Sequence, residues 1–126
     1  MKNRLSDAEW RVMETLWENP PRTIMEITNT LKAETGWTKY TVMSFLKRME
    51  EKGAVHFEEG GRAKLYFPDW SREDASIQET ENFLKKVFHG SAGMMINAMV
   101  KQKALTETEI QELYQILDSH EDSALN

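Results

Sequence analysis

The spacing of apolar residues changes period at Gly53, and this one change restricts the fold more than any other feature. Before it, Val42, Phe45, Leu46 and Met49 recur at i, i+3, i+4 and i+7, the stripe of an amphipathic helix. After it, Val55 and Phe57 alternate with His56 and Glu58. Past Gly60-Gly61, Leu65 and Phe67 form the apolar side of a second alternation with Lys64 and Tyr66. Two alternating runs around a glycine pair read as a β-hairpin. Gly53 itself is suited to close the helix, because a residue without Cβ tolerates the left-handed conformation there.

Two more helices are expected upstream. Ser6 with Glu9, and Thr23 with Glu26, are spaced as capping boxes. Trp10, Met13 and Trp17 mark the inner face of the first helix, and Ile24, Ile27 and Leu31 that of the second. Asn19-Pro20-Pro21 ends the first, since proline lacks a donor and restricts its predecessor. Gly36 ends the second and Thr38 is the expected N-cap of the third. Three short helices followed by a hairpin is the order of a winged helix-turn-helix. The fold class is therefore mainly α with a small β-hairpin, followed by a helical segment.

Pro68-Asp69-Trp70 is the expected boundary, giving a winged-helix domain over residues 1–70 and a helical dimerisation region over 71–126. Ser71 can cap a long helix that carries Ile77, Leu84 and Phe88, with Val87 beside them. Gly90-Ser91 interrupts, and the apolar stretch around Met94, Met95 and Met99 follows. Thr106 with Glu109 opens a last helix bearing Ile110, Leu113 and Leu117. These stripes need partners, and some 56 residues bury little surface by themselves, so the region is expected to form a homodimer. Methionine-rich surfaces suit an adaptable interface.

The net charge of −5 argues against a nucleic-acid partner until its distribution is considered. Residues 1–70 hold 11 basic and 11 acidic side chains, so the acidic excess lies in residues 71–126, with 5 and 10. Between Thr38 and Arg48 there are three basic residues and no acidic one. A partner touching one face responds to that local field and not to the total. The major groove, about 12 Å wide, admits one α-helix that is held by its apolar stripe and presents polar or basic groups outward. The third helix meets both demands, with Tyr40, Ser44 and Lys47 opposite the stripe and Lys39, Thr41, Met43 and Arg48 flanking. Arg62, and Lys64 beside it, can reach the DNA backbone from the hairpin tip. A winged helix serving a protein partner is the alternative, and an acidic or apolar outer face would have favoured it.

Other classes find little support. No nucleophile with a paired base, phosphate-binding glycine loop or metal-ligand cluster is spaced for chemistry, so neither an enzyme nor a cofactor is expected. The absence of cysteine excludes disulfides and thiolate metal sites, and His56, His89 and His120 are scattered. No apolar run approaches the roughly 18 residues of a membrane span. Met1 to Leu5 leads into Asp7, Glu9 and Arg11 and not into an apolar segment, as no secretory signal does. A cytoplasmic protein without membrane insertion is expected.

The chain resembles the BlaI/MecI/CopY family of bacterial repressors over nearly its whole length. The resemblance is carried by Leu5-Ser6-Asp7-Ala8-Glu9-Trp10, by Thr38 to Arg48, by Glu51-Lys52-Gly53-Ala54-Val55 and by Gly61-Arg62. Phe88 to Gly93 and Leu105 to Leu113 extend it. It implies a repressor of resistance or stress operons, binding dyad-symmetric double-stranded operator DNA as a homodimer. Thr38, Lys39, Tyr40, Thr41, Ser44, Lys47 and Arg48 would then be groove or phosphate contacts, with Arg62 and Lys64 in the wing. The copper-responsive branch uses paired cysteines, which suit Cu(I), and this chain has none. In the penicillinase branch a membrane sensor-protease pathway leads to cleavage of the repressor, and Asn97-Ala98 resembles that position. Ala98 stands where the family has a bulky aromatic, a departure from its pattern.

Overall fold

The computed structural model describes the backbone of residues 4–125 and the side chains of residues 4–120. Met1, Lys2 and Asn3, part of the segment read as unlike a secretory signal, lie outside the described residues. The elements run α1 (Asp7–Glu18), α2 (Ile24–Thr35), α3 (Lys39–Lys52), β1 (Val55–Glu59), β2 (Lys64–Pro68), α4 (Arg72–Phe88), α5 (Ala92–Lys101) and α6 (Glu107–Leu125). Two compact units result, Met1–Thr80 and Glu81–Asn126, with the division inside α4.

Local chemistry explains where the helices start. Ser6 Oγ accepts from the Glu9 N–H while the Glu9 carboxylate accepts from the Ser6 N–H, and Thr23 and Glu26 repeat the exchange on α2. Each box satisfies donors that a helix N-terminus leaves free. Thr106 and Glu109 do the same for α6. The hydroxyls of Ser71 and Ser91 accept from Asp74 and Met94. Asn19, outside the helical conformation, ends α1 before the two prolines. Gly53 is left-handed, with φ +80°, and its N–H closes α3 onto the Met49 and Glu50 carbonyls.

The three N-terminal helices converge on one core. Val12, Met13 and Leu16 of α1, Ile27 and Leu31 of α2, and Val42, Leu46 and Met49 of α3 are all buried. Each large side chain so buried contributes about 1.5–3 kcal/mol relative to exposure. Trp10, Trp17, Trp37 and Phe45 cover the margins. The start of α4 is tied to this unit: Trp17 Nε1 donates to the Trp70 carbonyl at 2.8 Å, and Arg72 lies 5.0 Å from the Trp17 ring centroid.

The hairpin departs from its expected phase. Strand β1 turns Val55 and Phe57 inward, as the alternation implies, but on β2 it is Tyr66 that is buried, at 4% exposure, with Leu65 and Phe67 half-buried. Register explains this. The turn pairs Phe57 with Tyr66 and Val55 with Pro68, and opposed residues of an antiparallel pair share a face. Arg22, just before α2, adds a short bridge: its N–H donates to the Tyr66 carbonyl at 3.1 Å and its carbonyl accepts from the Tyr66 N–H at 2.8 Å. The hairpin is thereby fastened to the chain just before α2, and the Tyr66 side chain joins the core.

In the second unit, no described side chain between residues 81 and 120 is buried. Helices α5 and α6 enclose an apolar cleft of about 390 Å³, lined by Ile96, Val100, Leu105, Ile110, Leu113, Tyr114 and Leu117. No helix among the described residues is long and apolar enough to cross a membrane.

Candidate nucleic-acid interface

Helix α3 is held along its inner side and at both ends. Val42, Leu46 and Met49 are fully buried, and Phe45 packs on Trp37 with ring centroids 4.9 Å apart. At the N-terminus, Thr38 Oγ1 accepts from the Thr41 N–H at 3.4 Å, and the two hydroxyls are also 3.4 Å apart. At the C-terminus, Lys52 Nζ donates to the Arg4 carbonyl at 2.7 Å and to Glu9 Oε1 at 2.5 Å. Glu9 is only 1% exposed. Burial alone would push its carboxyl up, but the hydrogen bonds from Lys52 and Ser6 and the ammonium charge prevail, holding it below the usual glutamate range. The pair pins the end of α3 to the start of α1. Lys52 is 43 positions from Glu9, so nothing in the sequence paired them; the capping box accounted for Glu9 by itself.

The outer side of α3 is open. Thr38, Lys39, Tyr40, Ser44, Lys47 and Arg48 are exposed and Thr41 is half-buried. Tyr40 is 69% exposed, with Lys39 Nζ 5.2 Å from its ring centroid. Arg48 lies 5.7 Å from the Phe45 centroid, which directs it to one flank. Lys47 has no ion pair among the described residues. Glu50 and Glu51 follow in the last turn, so the acid-free part of the helix is its first three turns. Met43, 45% exposed, shares this side, on the flank where helical spacing places it, although the expected contact set did not include it.

The wing tip is set by a tight turn. The Gly60 N–H donates to the Ala63 carbonyl at 3.0 Å, and a Cβ on Gly60 would lie 2.6 Å from Leu65 Cγ. Arg62 is exposed, with no ion pair among the described residues. Lys64 is exposed too, but its ammonium sits 4.0 Å from the Phe57 ring centroid, drawn back along the strand. On the other face of the hairpin, His56 stacks on Phe67 at 5.0 Å, and its Nδ1 is 2.6 Å from Asp69 Oδ1. That hydrogen bond holds the imidazole above its ordinary pKa. The structure thus brings the α3 residues onto one side of one helix and places Arg62 and Lys64 on the hairpin.

The residues expected at a dimer interface all lie on the second unit or on α4. Ile77, Val87, Met94 and Leu117 are exposed, while Leu84, Phe88, Met95, Met99, Ile110 and Leu113 are half-buried. Asn97 and Ala98 lie in mid-α5, the first exposed and the second half-buried; the Ala98 carbonyl accepts from the Gln102 N–H.

A sequence profile described as penicillinase repressor matches residues 5–119. The chain belongs to the penicillinase repressor family. It is 30% identical over 117 residues to the penicillinase repressor of Bacillus licheniformis, covering 93% of this chain and 91% of that one. It is 25% identical over 114 residues to the methicillin resistance regulatory protein MecI of Staphylococcus aureus (strain N315), covering 90% and 93%. Among solved structures it resembles the DNA-binding domain of the repressor BlaI, with TM-score 0.53 and 28% identity over 59% of this chain and 90% of that one. It also resembles monomeric Bacillus licheniformis BlaI in complex with the blaP half-operator, with TM-score 0.51 and 28% identity over the same shares. The family is one of transcriptional repressors and not of enzymes. Its winged helix matches the fold read from the sequence.

Proposed function

We propose that this penicillinase repressor family member is a homodimeric transcriptional repressor in the cytoplasm. Each protomer would lay the first three turns of α3 in the major groove of a dyad-symmetric operator. Lys39, Tyr40, Thr41, Ser44 and Lys47 face bases and nearby phosphates in this arrangement, with Thr38 and Arg48 at its edges. Arg62 and Lys64 touch the backbone from the wing. The observation that carries the reading is the outer side of α3, which presents basic and polar groups with no acidic one and is backed by a buried core. The likeness to BlaI bound to a half-operator supports it.

Dimerisation is assigned to residues 81–126 with the exposed part of α4. A unit that buries none of its described side chains on its own gains its core from a second copy. Repression of antibiotic-resistance genes, relieved through a membrane sensor-protease pathway, follows as the biological setting. Cleavage at Asn97-Ala98 would detach α6 and halve the apolar cleft, although α5 must first unwind to enter a protease. Loss of the dimer would weaken operator binding through the lost effective concentration of the second half-site. Fluorescence anisotropy with a duplex from the region upstream of the chain's own gene tests the reading. Saturation at two protomers per duplex, with a scrambled duplex bound at least about 1,000-fold more weakly, is expected. Equal binding of both duplexes, or none, would overturn it.

A further inference from the structure

The outer side of α3 is not uniformly polar. Met43 is 45% exposed, and helical spacing puts it beside Tyr40 at i−3, Lys39 at i−4 and Lys47 at i+4. A single exposed methionine means nothing on an arbitrary surface. Here its neighbours decide the matter. A groove that receives Lys39, Tyr40 and Lys47 receives Met43 with them, which brings the thioether within reach of base edges.

The major-groove edge of DNA offers donors, acceptors and one apolar group, the C5-methyl of thymine. Against a purine N7 or O6, an apolar side chain would strip water from an acceptor and return no hydrogen bond. Against a thymine methyl it buries apolar surface on both partners. The unbranched, polarisable methionine chain can shift to meet a methyl whose position is fixed by the duplex.

We infer that Met43 is a specificity-determining residue that recognises the 5-methyl group of a thymine in each operator half-site. The inference rests on the repressor reading and adds a base preference to it. It also separates Met43 from the phosphate contacts by mechanism: a contact made by charge fades with salt, whereas contact with a methyl group does not.

The test replaces each thymine of one half-site singly by uracil, which removes only the methyl. Affinities of the parent protein, Met43→Ala, Met43→Leu and Met43→Gln are then compared at two salt concentrations. One uracil is expected to weaken the parent about three- to fourfold, the worth of one buried methyl group. The loss should be the same at both salt concentrations. Met43→Ala and Met43→Gln should bind the thymine and uracil duplexes equally, and Met43→Leu should keep the distinction. If the parent binds its operator but no uracil weakens it, the inference is wrong while the repressor reading stands. The inference fails in the same way if Met43→Ala retains the full uracil penalty, which would assign the methyl to another side chain. Failure of the parent to bind any duplex would remove the repressor reading and this inference together.

Discussion

Glu9 does two jobs with one carboxylate. Oε1 completes the α1 capping box and accepts from Lys52, while Oε2 is buried with no partner among the described residues. Removing the ammonium leaves a buried charge uncompensated, so Lys52→Met is expected to destabilise the protein by about 3 kcal/mol, read by urea unfolding. The folded-state pKa of Glu9 is lowered, so its stabilisation is present above the ordinary glutamate value of about 4.3 and is lost as pH falls through the folded value. Glu9→Gln should therefore flatten stability against pH in that acid range and leave the neutral-to-alkaline profile parallel to the parent's. His56 runs the other way. Its pKa is raised, so its pairing with Asp69 stabilises below about pH 6.5 and fades as pH rises through the folded value. An NMR titration should show the His56 ring titrating above that reference, and Asp69→Asn should bring it down; an unmoved midpoint would remove Asp69 as the cause. The capping boxes at Ser6, Thr23 and Thr106 were legible in the sequence because their partners lie three residues away. The Glu9–Lys52 pair was not, because only the tertiary fold brings it together.

Among the secondary-structure elements, the helices were readable and the hairpin only in part. Periodicity located α1, α2 and α3, since an apolar stripe on a short helix has one core to face. The glycine pair located the turn. The phase of β2 was missed because hydropathy ranks Leu65 and Phe67 above Tyr66, whereas the turn and the Arg22 bridge determine which side faces in. Gly60 belongs to the same device. A methyl group there would meet Leu65 Cγ at 2.6 Å and the Ala63 carbonyl oxygen at 2.8 Å, and that backbone atom cannot yield without opening the turn. Gly60→Ala should cost about 1–3 kcal/mol, as overpacking does elsewhere. If Arg62 serves from this tip, operator affinity should fall with it, and urea unfolding alongside anisotropy separates the two effects. An unchanged unfolding midpoint would show that the turn has room to adjust.

Across the chain, the division of labour follows from where burial and charge lie. The first unit carries the core, and residues 1–70 within it are balanced in charge; the second has no buried side chain among residues 81–120 and lies within the part that holds the acidic excess. Composition made that asymmetry visible, and the apolar stripes of residues 71–126 already read as faces in need of a partner. Leu117 lines the cleft between α5 and α6 and is exposed, so it contributes little to the protomer alone. If two copies pair through this face as proposed, Leu117→Asp should weaken the dimer at least about tenfold, roughly 1.4 kcal/mol, because an unpaired carboxylate would enter an apolar contact. Sedimentation would show monomer at concentrations where the parent is dimeric, and an unchanged distribution would move the interface elsewhere.

The repressor reading depends on α3 and the wing holding operator DNA through an open basic surface on an otherwise acidic protein. Salt dependence probes that surface without intermediaries, with the parent, Lys39→Ala and Arg62→Ala titrated onto the upstream duplex. Log affinity of the parent should fall linearly with log salt, and loss of one phosphate contact should make the slope shallower by about 0.9. Arg62→Ala is expected to do this equally on operator and scrambled DNA, while Lys39→Ala lowers affinity chiefly on the operator if it reaches a base edge. A parent affinity indifferent to salt, or two variants indistinguishable from the parent at every salt concentration, would contradict that reading.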